Sequence, residues 1–272
     1  MGVGNLVHRY DALGRLTYYT YDTRHRLTGV DFDHDGITNS PDIAYGYDGW
    51  PAGFKFATSV AFTPSATAVN CGSYDFVFNP EHTAGRMAYA DHSAGRTYYG
   101  YTPFGEVAWS IVERDSITSL CDLEVTGYTY DFAGRVTSIQ YPSGRIVHYR
   151  YTTSGGTETL YAARIELEEN DGQTSTTTTL VDDIVYAPGG RVRGYVAGEV
   201  TMSAEWDLAG QLERIHYTKT TGGESLFDWD ITSRDGNGNI LEVGDTVLGQ
   251  NYSLKYDDRD RLRSSEGTNL KG

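Results

Sequence analysis

The octet Tyr10 to Thr17, YDALGRLT, returns as YDTRHRLT from Tyr21, YDFAGRVT from Tyr130 and YDDRDRLR from Tyr256. In each copy an aromatic residue and an Asp end an extended stretch, and a Gly three residues past the Asp turns the chain. An Arg and alternating residues then open the next stretch. His25, and Arg259 or Asp260, stand in for the Gly in two copies. A strand of about six or seven residues plus a turn of about four fills the interval from Tyr10 to Tyr21. The phrase predicts an array of β-hairpins, and an array carries function on its surface rather than in one pocket.

The same frame extends through most of the chain. YGYDGW restarts it at Tyr45, and FNPEHTAGRMAYADHSAGRTYYGYTPFGEV sets Gly85, Gly95 and Gly105 at ten-residue intervals. His82 and His92 each lie three residues before a Gly; equal repeat phase explains them more simply than a metal pair. Gly134 and Gly144 are again ten apart, with two alternating strands around YPSG. In AARIELEENDGQTSTTTTLVDDIVY, Ala163, Ile165 and Leu167 point one way and Arg164, Glu166 and Glu168 the other, with Asn170, Asp171 and Gly172 as the turn. The Glu166, Glu168 and Glu169 group has the residue type of catalytic carboxylates, but alternation makes two of them a solvated strand face. YAPGGRVRGYV, WDLAGQLERIHY and YDDRDRLR keep the frame with Trp206 for Tyr and Gln211 for Arg. RDGNGN, with Asp235, Asn237 and Asn239, reads as a further turn, because Thr246 stands where a calcium loop would end in an acid.

Composition agrees with strands. The chain has 272 residues, with 22 Tyr and 32 Gly against 3 Met and 7 Pro, a mix suited to short aromatic strands between glycine turns. No apolar run is long enough for a membrane-spanning helix, and the first thirty residues lack the pattern of a signal peptide. The net charge of −15 comes from acids spread along the chain, which disfavours nucleic acid as a partner and favours divalent cations. Cys71 and Cys121 are the only cysteines. Two readings stand: two isolated thiols, or one disulfide formed in an oxidising compartment, closing a loop worth about 4 kcal/mol.

One insert interrupts the frame with ligand spacing. In DFDHDGITNSPD, Asp31, Asp33 and Asp35 occupy positions 1, 3 and 5 of a twelve-residue calcium loop. Gly36 makes the turn, the Ile37 carbonyl supplies position 7, and Asn39 and Asp42 stand at 9 and 12. Alternate residues of a curled loop deliver the hard oxygens that Ca²⁺ requires. The flanks LTGV and IAYGYD read as strands, so EF-hand helices are absent. With Asp rather than Glu at position 12, the expected Kd is about 10⁻⁴ to 10⁻³ M.

Taken together, YDALGRLT, YDTRHRLT, YDFAGRVT and YDDRDRLR resemble the YD-repeat or Rhs-repeat family, which includes bacterial Rhs polymorphic toxins, the C component of insecticidal toxin complexes, wall-associated bacterial proteins and the teneurins. The resemblance covers residues 1–272 apart from insertions near 31–44, 51–72 and 106–124. It implies an all-β fold, repetitive antiparallel hairpins forming a spiralling sheet that is an arc of a YD-shell, and a chain that is a fragment of a longer protein. It also implies a secreted or cell-surface location, with neighbouring YD repeats and a C-terminal toxin or cargo as partners. No DP dipeptide is present for a family-type self-cleavage core, and no toxin-like segment follows Asp260.

Three function classes follow. A structural, encapsulating module is favoured by the repeats. An adhesion or glycan-binding surface would use Trp50, Trp109, Trp206 and Trp229 as stacking residues, although packing explains aromatic residues at repeat positions. An enzyme is disfavoured: no HExxH, GxSxG or phosphate-cradling glycine loop occurs, and no carboxylate pair is singled out.

Overall fold

The computed structural model describes residues 4–32, 41–49, 67–70, 75–78, 82–114, 123–153, 155–170 and 173–269. Among these are twenty-one strands and no helix. Nineteen strands form one open antiparallel sheet and two form a separate hairpin. Residues 1–146 with 169–176 make one compact unit, and 147–168 with 177–272 a second.

The first strands are β1 (His8–Tyr10), β2 (Leu16–Tyr21), β3 (Leu27–Asp31), β4 (Ile43–Tyr47), β5 (Thr67–Asn70), β6 (Asp75–Phe78), β7 (Met87–His92), β8 (Gly95–Tyr101), β9 (Val107–Arg114), β10 (Glu124–Tyr130) and β11 (Val136–Gln140). Each pairs with the next, except that β4 pairs with β7 and β5 with β6. The period-two alternation of aromatic and β-branched residues sets the register, since a one-residue slip would exchange the faces. Tyr89, Tyr98, Ile111 and Val125 lie opposite one another across β7 to β10, and the last three are buried.

Beside that apolar row runs a polar one. Asp91 faces Arg96, and Arg96 faces Glu113. The buried Glu113 carboxylate accepts a hydrogen bond from the Tyr98 hydroxyl at 2.7 Å, and the Arg96 guanidinium is ion-paired with Asp91. Burial raises the Tyr98 phenol's pKa, which keeps it a donor. A buried acid is tolerable only with such partners.

Glycine has a packing role in two cross-strand pairs. Gly46 lies opposite Tyr89 and Gly100 opposite Trp109, and each aromatic ring covers its glycine so closely that a Cβ would overlap ring atoms. These pairs explain the Gly before the last aromatic in YGYD and YGYT.

The later strands are β12 (Ile146–Arg150), β13 (Arg164–Asn170), β14 (Ser175–Tyr186), β15 (Val192–Ala197), β16 (Val200–Trp206), β17 (Leu212–Lys219), β18 (Ser225–Arg234), β19 (Ile240–Asp245), β20 (Gln250–Tyr256) and β21 (Leu262–Asn269). In the second unit β14 to β21 pair in chain order. One face is apolar: Tyr195, Met202, Tyr217 and Phe227 form one row, and Ala204, Ile215 and Trp229 the next. The other face carries Glu205, Arg214 and Asp230 in register.

Two buried acids of this unit are held by different means. Asp228 receives two hydrogen bonds from Arg214, at 2.7 and 2.8 Å, and one from the Thr246 hydroxyl at 2.7 Å. Arg214 first, then Thr246, holds its pKa down at about 2. Asp245 accepts the backbone N–H groups of Val247 and Leu248 and the Trp229 indole N–H, and so closes the turn after β19.

Consecutive octets close opposite edges of the sheet. The turn Asp11–Arg15 joins β1 to β2 at one end of β2, and Asp22–Arg26 joins β2 to β3 at the other. The eleven-residue spacing is thus one strand with a turn at each end.

Two predictions follow from this packing. Gly100→Ala forces Trp109 off its neighbour and should destabilise the protein by about 1–3 kcal/mol in urea denaturation. Gly236→Ala, where a Cβ meets nothing, should stay within about 0.5 kcal/mol of wild type. Because the folded-state pKa of Asp228 is depressed, its contribution is complete above the unfolded value near 4 and is lost as pH falls through about 2. Denaturation curves between pH 7 and pH 2 should therefore show an acid-side loss that is smaller in Asp228→Asn.

Candidate functional site

The candidate surface is assembled from the turns. In YDALGR the backbone N–H of Asp11 bonds to the Arg15 carbonyl, and that of Gly14 to the Asp11 carbonyl. The Asp11 carboxylate accepts the N–H groups of Leu13 and Arg15 through one oxygen and the Arg15 guanidinium through the other. Gly14 has a φ of 78°, which places it at the left-handed position of a type I turn with a G1 bulge. The same closure recurs at Asp22, Asp131 and Asp257, and with Asn239 in place of Arg at Asp235. In each case the carboxylate's pKa lies below its ordinary value. The leading cause is the Arg N–H at Asp11, Asp22 and Asp131, and the partner side chain at Asp235 and Asp257.

Within each unit the turns of one edge are linked to each other. The Tyr47 hydroxyl donates to the Leu27 carbonyl at 2.8 Å, Tyr101 to Met87 at 2.7 Å, Tyr130 to Val107 at 2.8 Å and Tyr186 to Ala162 at 2.7 Å. Tyr21 does the same to Leu6. Leu27, Met87 and Val107 are the first residues of β3, β7 and β9, and Leu6 and Ala162 lie two residues before β1 and β13, so these aromatic strand ends bond the start of an earlier strand. Trp206 fills the role with its indole N–H on Val192, and Arg234 with its guanidinium on Leu212. The Arg234 substitution was invisible in sequence, because nothing in SRDGNGN marks a cation as a stand-in for tyrosine. Burial raises the pKa of Tyr47, Tyr101, Tyr130 and Tyr186, so these hydroxyls remain donors.

The turn arginines complete the link. Arg26 lies 4.3 Å from the Tyr47 ring centroid, Arg86 5.5 Å from that of Tyr101, and Arg191 5.7 Å from that of Trp206. Arg26 also binds Asp22 of its own turn at 2.7 Å and Asp48 of the next at 2.7 Å. Its buried Nη1 has no oxygen partner, so the Tyr47 ring face is the group that offsets its desolvation. Asp48 is held at a pKa of about 2, first by Arg26 and then by the Gly85 N–H.

One of these turns is divided. Asp48 N–H bonds to the Arg86 carbonyl at 3.2 Å, and Gly85 N–H to the Asp48 carboxylate at 2.6 Å. The first contact repeats that of Asp11 and Arg15, and the second brings the glycine N–H to the carboxylate where Gly14 reaches the backbone carbonyl, although the residues between Asp48 and Gly85 number thirty-six. Tyr47-Asp48 and Gly85-Arg86 are the two halves of one octet. A YD lacking its GR, followed by a GR lacking its YD, was the available signal.

The candidate metal ligands fall at the edge of what is described. Asp31 ends β3 and Asp42 stands just before β4, with Val30 opposite Ile43. The Phe32 N–H donates to the Asp42 carboxylate at 2.7 Å, which ties the two ends of the loop together. Asp33, Asp35, Ile37 and Asn39 lie outside the described residues, as do Cys71 and Cys121. Among the described residues no group of three or more His, Cys, Asp or Glu side chains is arranged to hold a metal ion.

The other polar residues singled out are engaged in pairing. Glu166 binds Arg150 at 2.7 Å, Glu168 binds His148 at 2.8 Å and Glu169 binds Arg145 at 2.8 Å. His92 accepts the Ala94 N–H at its own turn. Trp109 is buried and Trp206 belongs to the edge ladder, whereas Trp229 is 39% exposed.

No family model matches the chain, and no curated protein matches it. Solved structures do. The crystal structures of TcdB2-TccC3-Cdc42 and of TcdB2-TccC3 are similar over 95% of this chain, each with a TM-score of 0.63, at 15% and 16% identity. The Photorhabdus luminescens Tc holotoxin pore gives a TM-score of 0.55 at 15% identity over the same share. The chain spans 12% of the length of the first two and 16% of the third. What is shared is the fold, a sheet of successive antiparallel hairpins found in chains of toxin complexes.

Proposed function

We propose that this chain is a wall segment of a repeat-built shell, a structural and non-catalytic part of a large secreted or cell-surface bacterial protein that encloses a C-terminal toxin or other cargo. The observation that carries this reading is the edge ladder. Aromatic tip, Arg and Asp of successive hairpins are spent on one another, so the side chains that recur most often hold the wall together. The fold shared with toxin-complex chains supports the same role. Limited proteolysis of the full-length gene product is the test: the segment after the repeats should resist a protease that degrades it when expressed alone. Equal degradation in the two settings would remove the enclosing role.

The loop from Asp31 to Asp42 is proposed to bind Ca²⁺ through Asp31, Asp33, Asp35, the Ile37 carbonyl, Asn39 and Asp42. Support comes from the ligand spacing and from the Phe32–Asp42 bond, which brings the first and last ligands' strands together. Such an ion would brace the β3–β4 connection. Millimolar Ca²⁺ should raise the melting temperature, and Asp31→Ala with Asp35→Ala should abolish the rise. An unchanged wild-type melt would exclude the site.

A second reading rests on Phe227, Trp229 and Tyr252, whose rings follow one another at centroid distances of 5.1 and 6.4 Å on the second unit's apolar face. With Trp229 partly exposed, the row offers stacking surface for a glycan. A glycan array, with Trp229→Ala as the control, separates this reading from the first.

A further inference from the structure

Successive turns on the laddered edge meet at two positions: the residue just after the left-handed turn position of one hairpin, and the left-handed position of the next. In four of these meetings the second position is Gly and the first is a long side chain. A Cβ on Gly105 would overlap the Arg86 guanidinium, and one on Gly210 that of Arg191. One on Gly238 would lie 2.8 Å from the Gln211 amide nitrogen, and one on Gly134 3.5 Å from the Glu106 carboxylate. The long side chain of one turn therefore lies over the bare glycine of the next.

In two meetings the glycine is replaced, and the partner changes with it. His25 takes φ 63° and Asp260 φ 58°, both left-handed. The residue that precedes each along the edge is not Arg but Asn. Asn5 Nδ2 lies 3.2 Å from His25 Nδ1, and Asn239 Nδ2 donates to Asp260 Oδ1 at 2.7 Å. Asn is short enough to leave room for a side chain and polar enough to bond it. Only Gly, and at modest cost Asn, Asp or His, adopt the left-handed conformation readily, which limits what replaces the glycine.

We infer that these two positions form a pairing code which specifies hairpin neighbours: a long side chain selects a turn glycine, and Asn selects His or Asp. Both forms occur in each compact unit. Three turn glycines depart from the code: Arg26 reaches Asp48 and a Cβ on Gly85 would meet nothing, a Cβ on Gly156 would likewise meet nothing, and Gly190 is covered by the Tyr161 ring and hydroxyl. The pairs act as specificity determinants. A hairpin with the wrong turn residue meets either a long side chain in the space of its Cβ or an Asn that loses its bond to the next turn. Pairwise contacts of this kind set the order of units in a nearest-neighbour array.

A double-mutant cycle tests the inference. Gly210→His should lower the melting temperature by about 2–4 °C more in the wild-type background than in Arg191→Asn, because the double variant recreates the Asn5–His25 pair. Equal losses in both backgrounds would overturn the code. Should Gly210→His fail to fold in either background, a second cycle decides. Asp260→Gly should cost less in Asn239→Gln, which copies Gln211–Gly238, than in wild type, and additive losses there would overturn the code as well.

Discussion

The structure depends on the hydrogen bond that an aromatic tip at the end of one strand gives to a backbone carbonyl of the hairpin before it. A strand pair alone constrains register but leaves one hairpin free to twist on the next. A phenol anchored on the neighbour's carbonyl, with the neighbour's guanidinium over its ring, pins the corner where the twist would begin. Each such bond contributes about 1 kcal/mol net, and each Arg–ring contact a similar amount. The effect of the ladder is therefore cumulative. The tolerance for Trp206 and Arg234 shows what is required: a long, flat group with an N–H or O–H at its tip.

The Asp that follows the aromatic serves a different need. Three donors converge on its carboxylate inside five residues, so the turn is held by local contacts. Low contact order of this kind favours rapid hairpin formation. The buried acids Glu113, Asp228 and Asp245 contribute specificity of register, since each depends on partners from a facing strand or from the turn that follows.

Much of the fold was legible in the octets. Alternation, turn glycines and the strands at 164–170 and 175–186 follow from local chemistry, while Asp171 and Gly172 of the expected turn lie outside the described residues. Three things were not legible. Consecutive octets alternate between edges, which needs the strand count between turns rather than the motif. The octet divided between Asp48 and Gly85 is hidden by thirty-six intervening residues. The Asn5–His25 and Asn239–Asp260 pairs lie about twenty residues apart, a distance at which sequence pattern carries no contact information. For the proposed calcium loop, spacing singled out the candidate ligands, and the structure adds a bond between Phe32 and Asp42 at its two ends.

The divided octet has an evolutionary consequence. Asp48 still bonds the backbone of Gly85 and Arg86, and β4 still pairs with β7, although thirty-six residues pass between Asp48 and Gly85. Loop-closure entropy grows only with the logarithm of length, which makes a long excursion at such a point thermodynamically mild. Any turn of the array is by this logic a port at which new sequence can be admitted without renegotiating the scaffold. Diversity in such proteins would then accumulate at the turns while the strands stay recognisable.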